Sequence, residues 1–456
     1  MTINIPEKSI EVFKETDVLV VGGGPAGIGA AVAAGRAGSD VVLLEKRGFL
    51  GGNITACYVE SCNYFLHGTQ HKIGGIYADL ENEYKMQFGR SHDTRAYDPF
   101  RFSSEYLKVF LDGFIKDAGV EVFLHSFVND VLLKGDTIDC VIIQSKLGPM
   151  AIRAKTIIDC TGDADVAFAA GVPFDIGRET DNKCMPGTVN FRLAGANPKV
   201  LAKDSNGEDV LRQIGARFRD DYLAGRTGLN CKRKDVPFGR LTEAGQVSYV
   251  NYSCAYGVNP TDFRDLTRGE MECRQYVMEM HHYMKEYFEG FENTELSSIA
   301  TEIGFRDSRR IHGRYKLTLN DTESNVHFDD VITVFPRFYD MLSPDGNLGG
   351  DSTLKGSGYG TLGYIYDGPT GKDDTRTFEI PYRCLLPVNV ANLLVAGRCI
   401  SADHLTVSGT RAISACMYTG QAAGTAAAIC TVQKSLPGDV NIKRLQETLR
   451  ANGVPL

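Results

Sequence analysis

The stretch DVLVVGGGPAGIGAAVAAGRAGSDVVLLE, residues 17–45, decides the fold of this chain. Its apolar run from Val18 to Val21 is typical of a buried parallel strand. Residues 22–27 then fit G-x-G-x-x-G, and an Ala-rich helix and a second strand, Val41 to Leu44, follow. Strand, glycine turn, helix and strand in this order predict a unit that binds a dinucleotide.

Each glycine of the turn has its own physical task in such a unit. Gly22 allows the tight turn, Gly24 lets the backbone approach a pyrophosphate, and Gly27 lets helix and strand pack closely. The helix start offers N–H groups and a partial positive charge to the phosphates. Glu45, after the second strand, can accept hydrogen bonds from ribose hydroxyls, which favours FAD or NAD over NADP.

Composition and charge exclude several classes of protein. The 456 residues are 43% hydrophobic and 23% charged, enough for two or three folded parts around a sizeable core. A net charge of −8 argues against nucleic acid as the partner. The sequence predicts no membrane span. The N-terminal segment MTINIPEKSIEVFKETD lacks a basic region followed by an apolar one, so we expect a cytoplasmic location.

The cysteines and histidines show no metal-binding pattern. The 12 cysteines are scattered, the closest pair being Cys57 and Cys62, and no C-x-x-C occurs. We therefore expect buried, reduced thiols rather than a metal cluster or a redox dithiol. His67 and His71 are four residues apart, but no H-E-x-x-H frame surrounds them. We predict no metal.

Later segments extend the first folding unit and then interrupt it. The pattern predicts a helix from Ser103 to Ala118 and four short strands between Val120 and Asp159, a β-meander that returns to the parallel sheet. Long polar connections from about Val172 indicate an inserted domain. Near the end, a small-residue helix from Ala412 to Cys430 contains GQAAGTAAA, which allows close packing.

In five ordered segments, the chain resembles the FAD-dependent oxidoreductase family of the glutathione-reductase-like superfamily. The segments are DVLVVGGGPAGIGAAVAAGRAG at 17–38, EKRGFLGGN at 45–53, IIDCTGDADVAFAAGVP at 157–173, IGFRDSRRIHGRYKLT at 303–318, and PYRCLLPVNVANLLVAGRCISADH at 381–404 continuing to GQAAGTAAA. The resemblance implies an α/β fold. A Rossmann-like FAD-binding domain, with a parallel sheet and a β-meander, would comprise residues 1–171 and 376–456, and an inserted α+β substrate domain residues 172–375.

The resemblance also implies which residues hold FAD. They are Gly22, Gly24, Pro25, Ala26 and Gly27 at the pyrophosphate, Glu45 and Lys46 at the adenosine ribose, Gly51, Gly52 and Asn53 in a covering loop, Val128 at the adenine, Thr161 and Gly162 along the dinucleotide, Gly397 and Arg398 at the pyrophosphate and ribityl end, and Gly409, Thr410 and Arg411 opening a helix that faces the flavin pyrimidine. The segment from Leu405 to Gly409 departs from the family pattern.

Three residues are the first candidates for catalysis. His404 follows a motif expected at the flavin end, and imidazole titrates near neutral pH, so we predict that it transfers protons. Arg309 and Arg310 are predicted to bind an anionic substrate or a polarised carbonyl, with inter-domain packing as the alternative. Tyr359 and Tyr382 are further candidates.

These features predict a FAD-dependent oxidoreductase that transfers hydride between a small organic substrate and the flavin at the interdomain cleft. The glycine-rich segment 356–360 lacks the strand and helix of a second dinucleotide site, so the other electron partner is expected to be a small molecule, a quinone, dioxygen or a separate protein. Two alternatives stay open: a flavin monooxygenase that uses NAD(P)H and O2, and an electron-relay flavoprotein subunit of a larger complex. The sequence also leaves open a covalent flavin link through Cys57 or His67, and homo-oligomerisation.

Overall fold

The computed structural model describes residues 9–62, 74–89, 100–201, 210–336, 339–346 and 377–456, which contain both helices and strands. The helices are α1 Pro25–Arg36, α2 Asn53–Ala56, α3 Gly75–Phe88, α4 Ser104–Asp117, α5 Asp165–Ala169, α6 Pro198–Leu201, α7 Val210–Leu223, α8 Phe263–Tyr287, α9 Leu319–Glu323, α10 His404–Thr410, α11 Ile413–Gln433 and α12 Ile442–Ala451. The strands are β1 Val12–Val21, β2 Val41–Leu44, β3 Ser61–Cys62, β4 Phe100–Arg101, β5 Glu121–Phe123, β6 Phe127–Lys134, β7 Thr137–Ser145, β8 Gly148–Asp159, β9 Phe174–Ile176, β10 Gly187–Ala194, β11 Val247–Ala255, β12 Glu295–Ile299, β13 Arg309–Ile311, β14 Val331–Pro336, β15 Thr377–Pro381 and β16 Leu393–Val395. His67, His71, Tyr359 and the segment 356–360 lie outside these described residues.

The largest sheet has the strand order β5-β2-β1-β8-β7-β6, with β16 also beside β8. Strand β1 runs parallel to β2 and to β8, so that Val18 lies opposite both Val41 and Thr156. Strands β6, β7 and β8 form an antiparallel meander. The predicted α/β fold, with a parallel sheet and a β-meander, is therefore confirmed.

One detail of the meander differs from the prediction. Two of the four short strands that the sequence predicts between Val120 and Asp159, those at 150–154 and 156–159, belong to one continuous strand, β8. The cause is the length of β1, which starts at Val12 and pairs with β8 from Ala151 to Asp159.

Helices α1 and α11 lie against each other with their backbones in close contact. A Cβ atom built on Gly420 would lie 2.0 Å from the carbonyl oxygen of Ala26, and one on Gly424 would lie 2.1 Å from that of Ala30. Only glycine allows this approach at these two positions. The predicted close packing of the GQAAGTAAA helix is confirmed, and it fixes α11 on the helix that follows the glycine turn.

A second hydrophobic core forms around the three-stranded sheet β11-β10-β12. Helix α8 packs its buried face, which includes Cys273, Val277 and Met280, into this core. Leu317 and Phe335, which also fall in the predicted insertion, pack instead in the core of the large sheet. The domain boundaries at 171/172 and 375/376 stay a prediction. No helix within the described ranges has the length and apolar character needed to cross a bilayer.

Candidate active site

A cavity of about 2160 Å³ opens where four parallel strands end. Its lining includes Gly22 after β1, Glu45 after β2, Cys160 after β8 and Ala396 after β16. Open α/β sheets bind their ligands at this edge. The cavity continues to residues of the second core, among them Thr188 on β10.

The glycines of the turn differ in the room that each has for a Cβ atom. Two of them have none, whereas the third borders free space. Gly22 has φ +100°, and a Cβ atom there would lie 2.5 Å from the carbonyl oxygen of Cys160. A Cβ atom on Gly27 would lie 1.8 Å from the carbonyl oxygen of Gly22. On Gly24, by contrast, the only described atom within 4 Å would be the Cα of Gly52 at 3.8 Å. Gly24 also lines the cavity, so a ligand can approach its backbone closely.

The helix that follows the turn begins without a side-chain cap. Gly24 is its N-cap and Pro25 its first residue, and no side chain accepts a hydrogen bond from the first turn. The first N–H groups of a helix have no partner inside the helix. Pro25 and Ala26 line the cavity, so this helix start can bind an anion there. The residues present therefore fit the pyrophosphate of a dinucleotide.

Glu45 combines a structural and a binding position. Its side chain is 2% exposed, and Oε2 accepts a hydrogen bond from the backbone N–H of Gly23 at 2.8 Å. Oε1 accepts from the backbone N–H and from Nη1 of Arg47, at 2.9 and 3.0 Å. Glu45 and Lys46 both line the cavity. The carboxylate is thus held at the turn, and its oxygens can accept further hydrogen bonds.

The predicted covering loop also lies at the turn. Gly51, with φ +110°, donates its N–H to the carbonyl oxygen of Gly23 at 2.8 Å. Gly52 and Asn53 line the cavity, and Nδ2 of Asn53 donates to the carbonyl oxygen of Phe305 at 3.2 Å. The loop therefore joins the glycine turn to the segment around Phe305.

Arg398 joins the same segment to the end of β8. Its Nε donates to the carbonyl oxygen of Gly162 at 2.8 Å, Nη2 donates to Oδ1 of Asp163 at 2.6 Å, and Nη1 donates to the carbonyl oxygen of Phe305. Thr161, Gly162, Gly397 and Arg398 all line the cavity. These predicted cofactor residues are thus brought together with the glycine turn.

Several predicted cofactor residues lie elsewhere. Val128 sits on β6 opposite Ile143 and is absent from the described lining, although Ser126 donates its N–H to the carbonyl oxygen of Glu45 at 2.9 Å. Gly27 and Gly51 are likewise absent from this lining, and both are buried.

The predicted opening of the long helix is wrong in position. Gly409 and Thr410 end the separate helix α10, whose N-cap Asp403 accepts a hydrogen bond from the N–H of Thr406 at 2.7 Å. Helix α11 begins at Ile413. Of the predicted residues 409–411, Arg411 alone lines the described cavity, and its Nη2 pairs with Oδ2 of Asp340 at 3.1 Å.

Arg309 and Arg310 make packing contacts and do not appear in the described lining. Nη1 of Arg309 donates to Oδ1 of Asp165 at 3.0 Å, and its guanidinium lies 4.1 Å from the ring centre of Phe168. Arg310 is 1% exposed and donates to the carbonyl oxygens of Ala402 and Gly177, at 3.0 and 2.7 Å. These contacts favour the inter-domain packing alternative over an anion clamp. The reason is that both residues belong to β13, which pairs with β9.

His404 is also buried and lies outside the described lining. Its side chain is 1% exposed, its Nδ1 is 3.0 Å from Oδ2 of Asp307, and its backbone N–H donates to Oε1 of Glu179 at 2.9 Å. Asp307 is itself fully buried and accepts from the N–H of Met185 at 2.8 Å. The imidazole therefore lies buried beside Asp307, away from the described lining.

Two other candidates have clear positions. The hydroxyl of Tyr382 donates to the carbonyl oxygen of Pro437 at 3.0 Å, and the side chain is 1% exposed, so it packs in the core. Cys57 does line the cavity, and burial raises the pKa of its thiol to about 11. Its reactive thiolate form is therefore scarce near neutral pH. All eleven cysteines described in full are free and buried, and the described His, Cys, Asp and Glu side chains form no cluster suited to a metal ion.

The sequence analysis chose Arg309 and Arg310 as site residues and did not choose Arg306. It belongs to the same arginine cluster as Arg309 and Arg310, but it precedes β13 and lines the cavity. Its Nη1 donates to the carbonyl oxygen of Pro186 at 2.9 Å and to Oγ1 of Thr188 at 2.8 Å. Burial lowers the pKa of Arg306. The arginine-rich segment indicated that one of its arginines could bind an anion. Which arginine faces the cavity depends on which of them belong to strand β13, and the sequence does not show that.

Asp165, which is not part of the described lining, has a carboxyl group with a shifted pKa. Burial raises its pKa to about 6, and the neighbouring carboxylates of Asp163 and Asp159 act in the same direction. Lys46 and Arg309 oppose the rise.

Comparison with known proteins matches residues 17–449 to the family described as FAD dependent oxidoreductase. Among curated proteins, the chain is similar to the thiamine thiazole synthase of Methanococcus vannielii, with 29% identity over 252 residues, which cover 50% of this chain and 91% of that protein. The enzyme of the same name from Methanococcus aeolicus is 30% identical over 162 residues, covering 34% of this chain and 57% of that protein.

Two solved structures align with the chain over most of its length. A geranylgeranyl bacteriochlorophyll reductase-like protein from Thermoplasma acidophilum aligns with a TM-score of 0.46 and 12% identity, covering 97% of this chain and 84% of that one. A myxobacterial chondrochloren halogenase, a FAD-dependent enzyme, aligns with a TM-score of 0.46 and 14% identity, covering 96% and 78%.

Proposed function

The chain belongs to the FAD-dependent oxidoreductase family, and we propose that it transfers hydride between a small organic substrate and FAD in the cleft between the large sheet and the hydrophobic core around β10. The family makes it a flavoenzyme with FAD as cofactor. The substrate, the reaction and the place of reaction are our proposal.

The observation that carries the proposal is the continuity of the cavity. The glycine turn and Arg398 line it at the sheet edge, and Thr188 and Arg306 line it at the second core. A cofactor held at the sheet edge would therefore share one space with a molecule held against the second core. Ligand sites commonly form at such junctions between two folded parts.

Within this cavity we assign a holding role to each group of lining residues. Gly24 and the start of α1 would hold the pyrophosphate, and Glu45 with Lys46 the ribose. Gly52 and Asn53 would cover the cofactor, and Arg398 would keep the loops on either side of it together. When bound, FAD supplies hydride or single-electron exchange at its ring.

The start of α11 would act at the opposite end of the cofactor. Its N-cap Ala412 makes no side-chain cap, and Ile413 and Cys416 of its first turn line the cavity. The helix start would thus place a partial positive charge near the flavin pyrimidine, where negative charge develops when the flavin is reduced. This role passes to residues 412–416 from the predicted Gly409 and Thr410, which end the preceding helix.

Anaerobic reduction of the purified, FAD-loaded protein tests the proposal. A panel of hydroxy acids, sugars and enones is added without oxygen or nicotinamide cofactor, and the flavin absorbance is followed. We expect at least one compound to bleach the flavin band, or to reoxidise flavin that has been reduced beforehand. Rapid bleaching by NAD(P)H alone, with no response to any organic compound, would contradict hydride transfer from substrate and favour the monooxygenase alternative.

Four earlier expectations stay predictions. They are the cytoplasmic location, the identity of the external electron partner, the homo-oligomeric state and the proton-transfer role of His404.

A further inference from the structure

We propose that the substrate of this site carries a carboxylate and that Arg306 binds it. The inference rests on the proposed function and narrows it to a class of substrate. It is carried by the hydrogen bonds of Arg306, by its position and by the charge of the surrounding lining.

The guanidinium of Arg306 is only partly engaged by the protein. Its Nη1 group has two hydrogens, and these are directed to the carbonyl oxygen of Pro186 and to Oγ1 of Thr188. Within the described residues, no hydrogen bond or ion pair involves its Nε or Nη2 groups. These two groups form one edge of the planar guanidinium, and their parallel N–H bonds match the two oxygens of a carboxylate.

The position of Arg306 is fixed between the second core and the residues proposed to hold FAD. These residues, the glycine turn with Glu45, Lys46, Gly52, Asn53 and Arg398, are called the cradle. Thr188 and Gly304 exchange two backbone hydrogen bonds, at 3.0 and 2.9 Å. The carbonyl oxygen of Phe305 accepts hydrogen bonds from Asn53 and Arg398, both of which line the cradle. Arg306 is the next residue and lines the same cavity. A carboxylate bound to it would therefore lie beside the proposed cofactor site.

The positive charge of the lining is concentrated beyond the cradle. On the cradle side, three basic groups face three acidic ones, Lys46, Arg47 and Arg398 against Glu45, Asp163 and Glu302. Along the rest of the lining there are six described arginines and four acidic residues, Arg212, Arg219, Arg233, Arg240, Arg306 and Arg411 against Asp235, Glu243, Glu270 and Asp340. The chain as a whole has a net charge of −8. The local excess of two positive charges favours an anion in the substrate part of the cavity.

Two of the neighbouring arginines already have partners. Arg233 pairs with Asp235 at 3.0 Å, and Arg411 pairs with Asp340 at 3.1 Å. Arg306 has no such carboxylate within the described residues. The residue is also partly buried, and a charged hydrogen bond to an anion is stronger there than in water.

Calorimetric titration of the FAD-loaded protein tests the inference through binding, independently of turnover. The probes are acetate, lactate and benzoate, their amides acetamide, lactamide and benzamide, and inorganic phosphate, with the flavin spectrum recorded in parallel. We expect at least one carboxylate to bind and its amide to bind more weakly by roughly tenfold or more, because charged hydrogen bonds are stronger than neutral ones. Phosphate should bind more weakly than that carboxylate.

The matched variants are Arg306→Met and Arg306→Lys. Arg306→Met should weaken carboxylate binding by roughly 10- to 100-fold, while Arg306→Lys, which keeps the charge but loses the fork, should show a smaller loss. Arg264→Met is the control, because the Arg264 side chain is 77% exposed and is not part of the described lining. If Arg306→Met loses FAD, the comparison rests on Arg306→Lys.

Equal binding of acid and amide, phosphate binding tighter than every carboxylate, or variants at Arg306 that bind carboxylates as the unaltered protein does would each overturn the inference. Failure of the proposed function gives a different result. In that case carboxylates would still bind in an Arg306-dependent way, but no organic compound would exchange electrons with the flavin under anaerobic conditions.

Discussion

Gly24→Ala should leave the apoprotein folded and strongly weaken its binding of FAD. The backbone of Gly24 has φ −77° and ψ −174°, which alanine can adopt, and a Cβ atom there would meet only the Cα of Gly52, at an ordinary 3.8 Å. Alanine is a poorer N-cap than glycine, so the apoprotein should lose at most about 1 kcal/mol of stability. The added methyl would occupy the space assigned to the pyrophosphate.

Forcing a methyl group into an occupied, well-packed site typically costs about 1–3 kcal/mol. The dissociation constant of FAD should therefore rise by roughly 10- to 100-fold. The assay titrates apoprotein with FAD by fluorescence, and thermal unfolding of the apoprotein is measured in parallel. Gly113→Ala is the control, since Gly113 is an exposed residue of α4 with no described neighbour within 4 Å of the added Cβ.

Gly27→Ala should destabilise the protein itself, in contrast to Gly24→Ala. Its Cβ would lie 1.8 Å from the carbonyl oxygen of Gly22, so the turn itself must move, with or without cofactor. Apoprotein stability should fall for Gly27→Ala and hold for Gly24→Ala. If Gly24→Ala folds and binds FAD within threefold of the unaltered protein, the space at Gly24 does not receive the cofactor and the proposed cradle is refuted.

Three further results are expected. Gly420→Ala should lower apoprotein stability by about 2–3 kcal/mol, because its Cβ would lie 2.0 Å from the carbonyl oxygen of Ala26. The control Gly113→Ala should gain up to about 1 kcal/mol of stability, because alanine favours a helix more than glycine does. Equal unfolding temperatures of the two variants would contradict the packing argument. The raised pKa of Asp165, about 6 against 3.8, favours its neutral form in the folded state, so the stability that this group contributes at low pH is lost as the pH rises through about 4 to 6. The Asp165→Asn variant should therefore gain stability relative to the unaltered protein as the pH rises over that range. The gain should be about 1–2 kcal/mol, because the side chain is 34% exposed and solvent screens part of the effect. If the two proteins differ in unfolding free energy by the same amount at pH 4 and pH 7, this prediction is wrong. His404→Ala should cut turnover while flavin stays bound if His404 transfers protons, and unchanged steady-state and single-turnover rates would remove that role.

The arginine cluster shows where sequence reasoning reached its limit. The segment 303–318, which carries part of the family resemblance, does meet the cavity at residues 303–306, and guanidinium chemistry is the basis of the anion binding that we propose. The sequence could not show that Arg309 and Arg310 enter a strand paired with β9 and bind carbonyl and carboxylate groups there. Arg306 was left facing the cavity by a pairing between Thr188 and Gly304, residues more than 100 positions apart.

The sequence alone determined the local unit around the glycine turn, because strand, turn and helix there depend on neighbouring residues and on backbone conformations that only glycine adopts easily. The small residues of the GQAAGTAAA helix likewise predicted a close backbone contact, but they did not show which helix it contacts. Tertiary structure alone decided that this partner is α1, that residues 404–410 form their own helix, and that Arg306 rather than its neighbours lines the cavity. These outcomes depend on contacts between distant segments, whose packing selects among side chains that are chemically equivalent in the sequence.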